Sequence, residues 1–164
     1  MSLSAYFSHP IRGAAGESAT PEQIKRACEE CSEVAWQIEE DMGIVLYVPA
    51  DHDEFVQVAY KSGLITERGI LLTDCDILSR RDFVLAYDPS GSMVSRGMRI
   101  EIEHALAIGK PVFLFQEWND HTERMLGKFL DCLGDKRACA VCGTGAIWSH
   151  NFTPKNYITW KVVK

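Results

Sequence analysis

Long uncharged apolar runs and an excess of positive charge are both missing from this chain of 164 residues. No apolar stretch approaches the roughly 18 residues that a membrane span requires, so no membrane partner is expected. Lys and Arg number 17 against 23 Asp and Glu, a net charge of -6. Gripping duplex nucleic acid through released counterions needs clustered basic side chains, so a nucleic-acid partner is not expected either. A small anionic ligand held by a few local groups remains compatible with that balance. Proline is sparse, with 6 residues, and 46% of the chain is hydrophobic, which excludes a disordered chain. The remaining expectation is one soluble globular domain over residues 1–164, long enough to bury a core without metals or disulfides as staples. The first dozen residues lack both a charged leader and a long apolar run, which sets the expectation of a cytoplasmic protein.

Six cysteines stand at positions 28, 31, 75, 132, 139 and 142. Without an export signal they read as reduced thiols rather than a disulfide framework. Cys28/Cys31 and Cys139/Cys142 each form a Cys-x-x-Cys pair, a spacing that zinc modules use. The two pairs are more than a hundred residues apart, and the first sits in a charged helical pattern with no knuckle glycine. Ordinary semi-buried cysteines are therefore the expectation, with no metal and no organic cofactor.

The order of elements carries the fold. Ser4 to Ser8 reads as a first strand, ended by Pro10 and Gly13. Thr20-Pro21-Glu22-Gln23 opens a helix with a capping box, and Gly43 should close it. Ile44 to Val48, β-branched and bounded by Gly43 and Pro49, predicts a second, buried strand. Residues 53–81 read as two helices broken near Ser62-Gly63, and Phe83 to Tyr87 as the third strand. Asp88 to Ser92 reads as loop punctuation, 97–109 as helix, Pro111 to Phe115 as the fourth strand, and about 120–133 as helix. The tail turns small and Gly-rich over 138–146, with a final edge strand expected at Tyr157 to Val163. Strands and helices that alternate in this way predict an α/β fold, a Rossmann-like (flavodoxin-like) parallel sheet with helices on both faces. Ligands then bind in the loops after the strands.

Three features break the apolar pattern. Asp74 lies four residues from both Ile70 and Leu78, which places a carboxylate on the core stripe of its helix, whereas Asp76 points to solvent. An acid so placed is either a structural hydrogen-bond acceptor or a functional acid whose pKa is raised by desolvation. Glu101 repeats the anomaly on the packed side of the next helix, with Ala105 and Ile108. It sits near a helix N-terminus opened by Ser95-Arg96-Gly97, so capping is one reading. Two core-facing carboxylates near one sheet edge also suit retaining glycosyl chemistry, which uses one acid as nucleophile and the other as acid, then base. The loop after the first strand offers Tyr6, Ser8, His9 and Arg12 within seven residues. Arg12 can grip a phosphate bidentately beside a glycine that admits close approach, while His9 alone reads as a satisfied loop histidine.

Together these residues resemble the nucleoside 2-deoxyribosyltransferase superfamily, closest to its 2'-deoxynucleoside 5'-monophosphate N-glycosidase branch. The resemblance spans about residues 4–115. It rests on Tyr-Phe-x-x-x-Ile-Arg-Gly at Tyr6 to Gly13, Asp74 eight residues before Asp82, the run Asp82-Phe-Val-Leu-Ala86, and Ser95-x-Gly97-x-x-x-Glu101-x-x-x-Ala105 leading into Gly109-Lys110-Pro111. The resemblance implies Glu101 as the nucleophile at the anomeric carbon, Asp74 as the acid that protonates the leaving base, and Tyr6 as the phenol beside them. It implies substrate contacts from Ser8, His9, Pro10, Ile11, Arg12, Gly13, Ser95 and Gly97. Where the transferases carry aspartate six residues before the nucleophile, this chain has Ser95. A hydroxyl there can donate to a 5'-phosphate that an aspartate would repel. Tyr6 matches the deoxyribose-preferring members. His9 and Pro10 depart from the glycine and serine found there in relatives, and the loop before Ser95 is about three residues longer than in the animal enzymes. The cysteine-rich tail has no counterpart.

The function this implies is hydrolysis of a deoxynucleoside 5'-monophosphate to base and 2-deoxyribose 5-phosphate through a glycosyl-Glu101 intermediate, in a homodimer. Transfer of the sugar to a second base is the alternative chemistry. A non-catalytic nucleotide-binding module on the same fold is the alternative class.

Overall fold

The computed structural model describes residues 2–90, 95–134 and 147–149. It is an α/β fold, Rossmann-like with flavodoxin-like strand order. Strands β1 (Ser4–Ser8), β2 (Val45–Tyr47), β3 (Phe83–Tyr87), β4 (Val112–Phe115) and β5 (Ile147–Ser149) form one sheet in the order β2-β1-β3-β4-β5, with every pairing parallel. Among the described residues five α-helices accompany them: α1 (Pro21–Met42), α2 (Asp53–Lys61), α3 (Glu67–Ser79), α4 (Arg96–Ala107) and α5 (Asp120–Gly134). No helix among the described residues is long and apolar enough to cross a membrane.

Helix boundaries follow their local chemistry. At the start of α1 the Thr20 side chain accepts from the Gln23 N–H at 3.3 Å, and the Gln23 side chain accepts from the Thr20 N–H at 2.8 Å. This capping box satisfies two donors that a helix start leaves without partners. At the other end Gly43 takes φ 62°, a left-handed conformation that other residues rarely adopt. Thr66 caps α3 by accepting from the Gly69 N–H, and Ser95 caps α4 by accepting from the Met98 N–H.

Alternation along the strands splits the core into two layers. Ala5, Phe7, Phe83, Leu85, Phe113 and Phe115 pack with Cys28, Cys31, Ala35 and Ile38 of α1 and Leu126 and Phe129 of α5. Tyr6, Val84, Ala86, Val112 and Leu114 face the other way, against Leu78 of α3 and Met98, Ile102 and Ala105 of α4. The strand order reverses direction between β1 and β3, which leaves a crevice at their carboxyl ends.

Two sequence expectations change. The second strand is a three-residue edge strand rather than a buried one: Val45 is half exposed, because β2 pairs with β1 alone, and only the flanking Ile44 and Val48 are buried. The expected strand at Tyr157 to Val163 lies outside the described residues, and the strand that joins β4 is Ile147–Ser149.

Candidate active site

The site forms where β1 meets α4. Tyr6 and Ser8 are two residues apart on β1, so both point to the same side of the sheet, the side covered by α3 and α4. Glu101 lies two turns into α4, buried, and its carboxyl meets them. The Tyr6 hydroxyl donates to Oε1 at 2.8 Å and the Ser8 hydroxyl to Oε2 at 2.5 Å. Each carboxyl oxygen therefore has its own donor, and the carboxyl plane is fixed by two side chains of a central strand. Glu101 does not cap its own helix, since Ser95 performs that role.

The electrostatics follow from burial. Desolvation pushes the Glu101 carboxyl up to about 7, opposed by the hydrogen bonds from Ser8 and Tyr6 and reinforced by the charge of Asp74. Asp74, half-buried on α3, is itself pushed up to about 6 by desolvation. The Tyr6 hydroxyl is raised well above its ordinary value, first by burial and then by the charges of Glu101 and Asp74. Asp74 acts electrostatically on Glu101, Tyr6, Tyr47 and Cys75, so α3 delivers its carboxyl to the same neighbourhood. Both acids are raised by desolvation, and the charge of Asp74 raises Glu101 further.

The structure thus brings Tyr6, Ser8, Asp74 and Glu101 together. Ser95 and Gly97 stand at the start of α4, at the same carboxyl edge. A Cβ placed on Gly97 would meet Leu71 of α3 at 3.9 Å, an ordinary van der Waals contact. Pro10 and Gly13 close a turn through a 2.8 Å backbone hydrogen bond, with Gly13 at φ 53° and Arg12 exposed at its tip. Ile11 packs on the α1 layer.

His9 departs from expectation. It is buried, neither ring nitrogen has a hydrogen-bond partner, and its ring lies 5.7 Å from Phe7, on the side of the sheet away from Glu101. Burial holds it neutral, its pKa lowered to about 4. Ser8, expected to touch substrate, donates its hydroxyl to Glu101. Asp76 is solvated and paired with Arg80 at 2.6 Å, as its spacing implied. Asp74 is only half-buried, because the buried positions of α3 are Cys75 and Leu78. Ile108, expected on the packed side with Glu101, is largely exposed just past the end of α4. Cys28 and Cys31 are free thiols buried in the α1 layer. Cys139 and Cys142 lie outside the described residues, among which no cluster of three or more metal-binding side chains occurs.

Sequence reasoning missed Tyr47, which ends β2 opposite Tyr6 and stacks on it with ring centroids 5.8 Å apart. Arg81 sits over the Tyr47 ring at 5.5 Å. An aromatic at the carboxyl end of a strand was the available signal, but the register that sets it beside Tyr6 is a tertiary fact. Also missed was Asp88, which the sequence suggests is turn punctuation and the fold buries completely.

No family model matches this chain, and no curated protein matches it. A solved structure described as a conserved protein from Enterococcus faecalis aligns with 92% of this chain and 82% of its own at 20% identity, with a TM-score of 0.53. That likeness shows a shared α/β fold.

Proposed function

We propose that the protein hydrolyses the N-glycosidic bond of a 2'-deoxynucleoside 5'-monophosphate to free base and 2-deoxyribose 5-phosphate. The observation that carries this reading is the buried Glu101 carboxyl, oriented by hydroxyl donors from Tyr6 and Ser8 and electrostatically linked to Asp74. Retaining glycosyl chemistry through an acid pair uses an oriented carboxylate as nucleophile with a second acid near it, and this pair suits that use.

In this reading, Glu101 attacks C1' while Asp74 gives its proton to the departing base, leaving a glycosyl ester on Glu101. The Asp74 carboxylate then takes a proton from water, and the hydroxide equivalent attacks C1' to release the sugar phosphate and restore Glu101. The reactive form of the pair has one proton, on Asp74. In the free protein burial raises both carboxyls above their ordinary values, which favours keeping a proton on the pair. A base nitrogen accepting from Asp74 selects the reactive form, and the Tyr6 and Ser8 hydroxyls stabilise the Glu101 anion. The start of α4 suits the 5'-phosphate: its first N–H groups point out of the helix, the Ser95 hydroxyl keeps a proton to donate, and Arg12 stands exposed on the neighbouring loop. The apolar side chains left exposed on α2, α3 and their connection, Phe55, Leu64 and Leu72, support a second copy of the chain packing against these elements.

The test is a screen of ribo- and deoxynucleoside 5'-monophosphates, modified bases included, scored by free base released. Wild type should release base from deoxynucleotides, and Glu101→Gln should lose at least about a thousandfold of that rate. Release no faster than the variant's from every nucleotide would sink the reading. New nucleotides on adding a free base would convert it to a transferase.

A further inference from the structure

Glu101 and Asp74 are held in unequal ways. Glu101 is fixed to the central strand β1 by the Tyr6 and Ser8 hydroxyls. Asp74 has no hydrogen-bond partner among the described residues, so its carboxyl stands wherever α3 places it. That helix buries only Cys75 and Leu78, a small apolar hold for an element of 13 residues. Against α4 it forms a seam of three successive contacts. Leu71 faces Gly97, within van der Waals contact of a Cβ placed there. Cys75, one turn on, has its thiol pKa raised by burial and then by the charge of Glu101. One turn further, Ser79 Oγ meets His104 Nε2 at 2.9 Å, the one side-chain hydrogen bond that joins α3 to α4 among the described residues.

The direction of that bond follows from counting protons. The Ser79 hydroxyl has one, and the Cys75 carbonyl 2.7 Å away has none to give, so the hydroxyl donates to the carbonyl. His104 Nε2–H is therefore the donor across the seam and Ser79 Oγ the acceptor. His104 lies one turn past Glu101 on α4, and Ser79 lies on the helix that bears Asp74. Apolar contacts are non-directional and let packed helices shift, whereas a hydrogen bond fixes a length and a direction. We propose that His104 is a positioning residue: its bond to Ser79 locks α3 against α4 and so sets where Asp74 stands relative to Glu101. This rests on the reading above that the two acids work as a pair. His104 touches no substrate in this role and acts only through the placing of α3.

The experiment compares wild type with His104→Ala, Ser79→Ala, the double variant and His104→Gln, whose amide nitrogen lies as many bonds from Cβ as Nε2 and also donates. On the deoxynucleoside 5'-monophosphate that wild type cleaves fastest, His104→Ala should lower kcat by roughly 10- to 100-fold and leave KM within about threefold. That is the effect of displacing a reacting group by about an ångström. Ser79→Ala should lose as much and the double variant no more, because both remove one bond, while His104→Gln should return to within about threefold of wild type. A kcat in His104→Ala within about threefold of wild type while Tm falls, a loss confined to KM, or no recovery in His104→Gln overturns the inference. If wild type releases no base at all, the glycosidase reading falls by itself, and NMR titration of the side-chain carboxyls decides the role of His104. His104→Ala should let water reach Asp74 and bring its midpoint from about 6 down toward 3.8, and His104→Gln should keep the wild-type midpoint. A midpoint that His104→Ala leaves unmoved, or that both substitutions move alike, ends the proposal.

Discussion

Glu101 is a carboxyl moved out of water and given two hydroxyl donors, and both facts have measurable consequences. Its pKa is raised from 4.5 to about 7, so the folded state binds more protons than the unfolded chain between those values and stability falls as pH rises through that window. Above it the cost is on the order of 3 kcal/mol. Glu101→Gln should therefore be more stable than wild type at pH 8 and gain nothing at pH 4, with a flatter dependence between, as read by chemical denaturation across pH. Ser8→Ala removes one of the donors that lower the Glu101 pKa. The acidic limb of its pH–rate profile should move to higher pH, and its rate should fall by roughly 10- to 100-fold, the range of a lost hydrogen bond to a charged group. An unchanged acidic limb would show that Ser8 does not tune Glu101.

Individual elements were largely legible in advance because their punctuation is local. Thr20, Gln23 and Gly43 bound α1 by hydrogen bonds and a φ value that need no partner element. Thr20→Ala should cost about 1 kcal/mol and raise hydrogen exchange in the first turn of α1 ahead of the rest of the helix. The edge position of β2 was not legible, since a β-branched run looks alike at the centre and the rim of a sheet and only strand order tells them apart. Asp88 was not legible for a related reason. A polar residue next to proline reads as exposed turn, yet Asp88 follows a strand so central that the fold buries it, and His9, which reads as a satisfied loop histidine, is buried after β1 with neither ring nitrogen partnered.

Across the whole molecule, the sheet holds its two layers through aromatic packing on the α1 and α5 side. The Phe129 ring lies 5.4 Å from Phe83 and 5.5 Å from Phe113, centroid to centroid, and is fully buried. Phe129→Ala should cost about 3–5 kcal/mol and lower Tm by roughly 10 °C, measured by calorimetry. The opposite layer carries the candidate chemistry on a thinner apolar base, with Glu101 buried among Tyr6, Met98 and Ile102. If a second copy covers Phe55, Leu64 and Leu72, light scattering should report twice the 18.4 kDa of one chain, and Leu64→Glu should shift the mass toward a single chain.

The sequence alone determined where the helices and the strands up to β4 lie, to within a residue or two, that they alternate, and that Asp74 and Glu101 occupy positions unusual for acids. Caps, turns and periodicity act over a few residues, so a linear reading captures them. Tertiary structure alone decided that Ser8 donates to Glu101, that Tyr47 stacks on Tyr6, and that Asp88 is buried with an oxygen unpaired. Each depends on strand register and on which helix covers which face. Those are set by contacts between residues some forty to ninety positions apart, and no local signal specifies them.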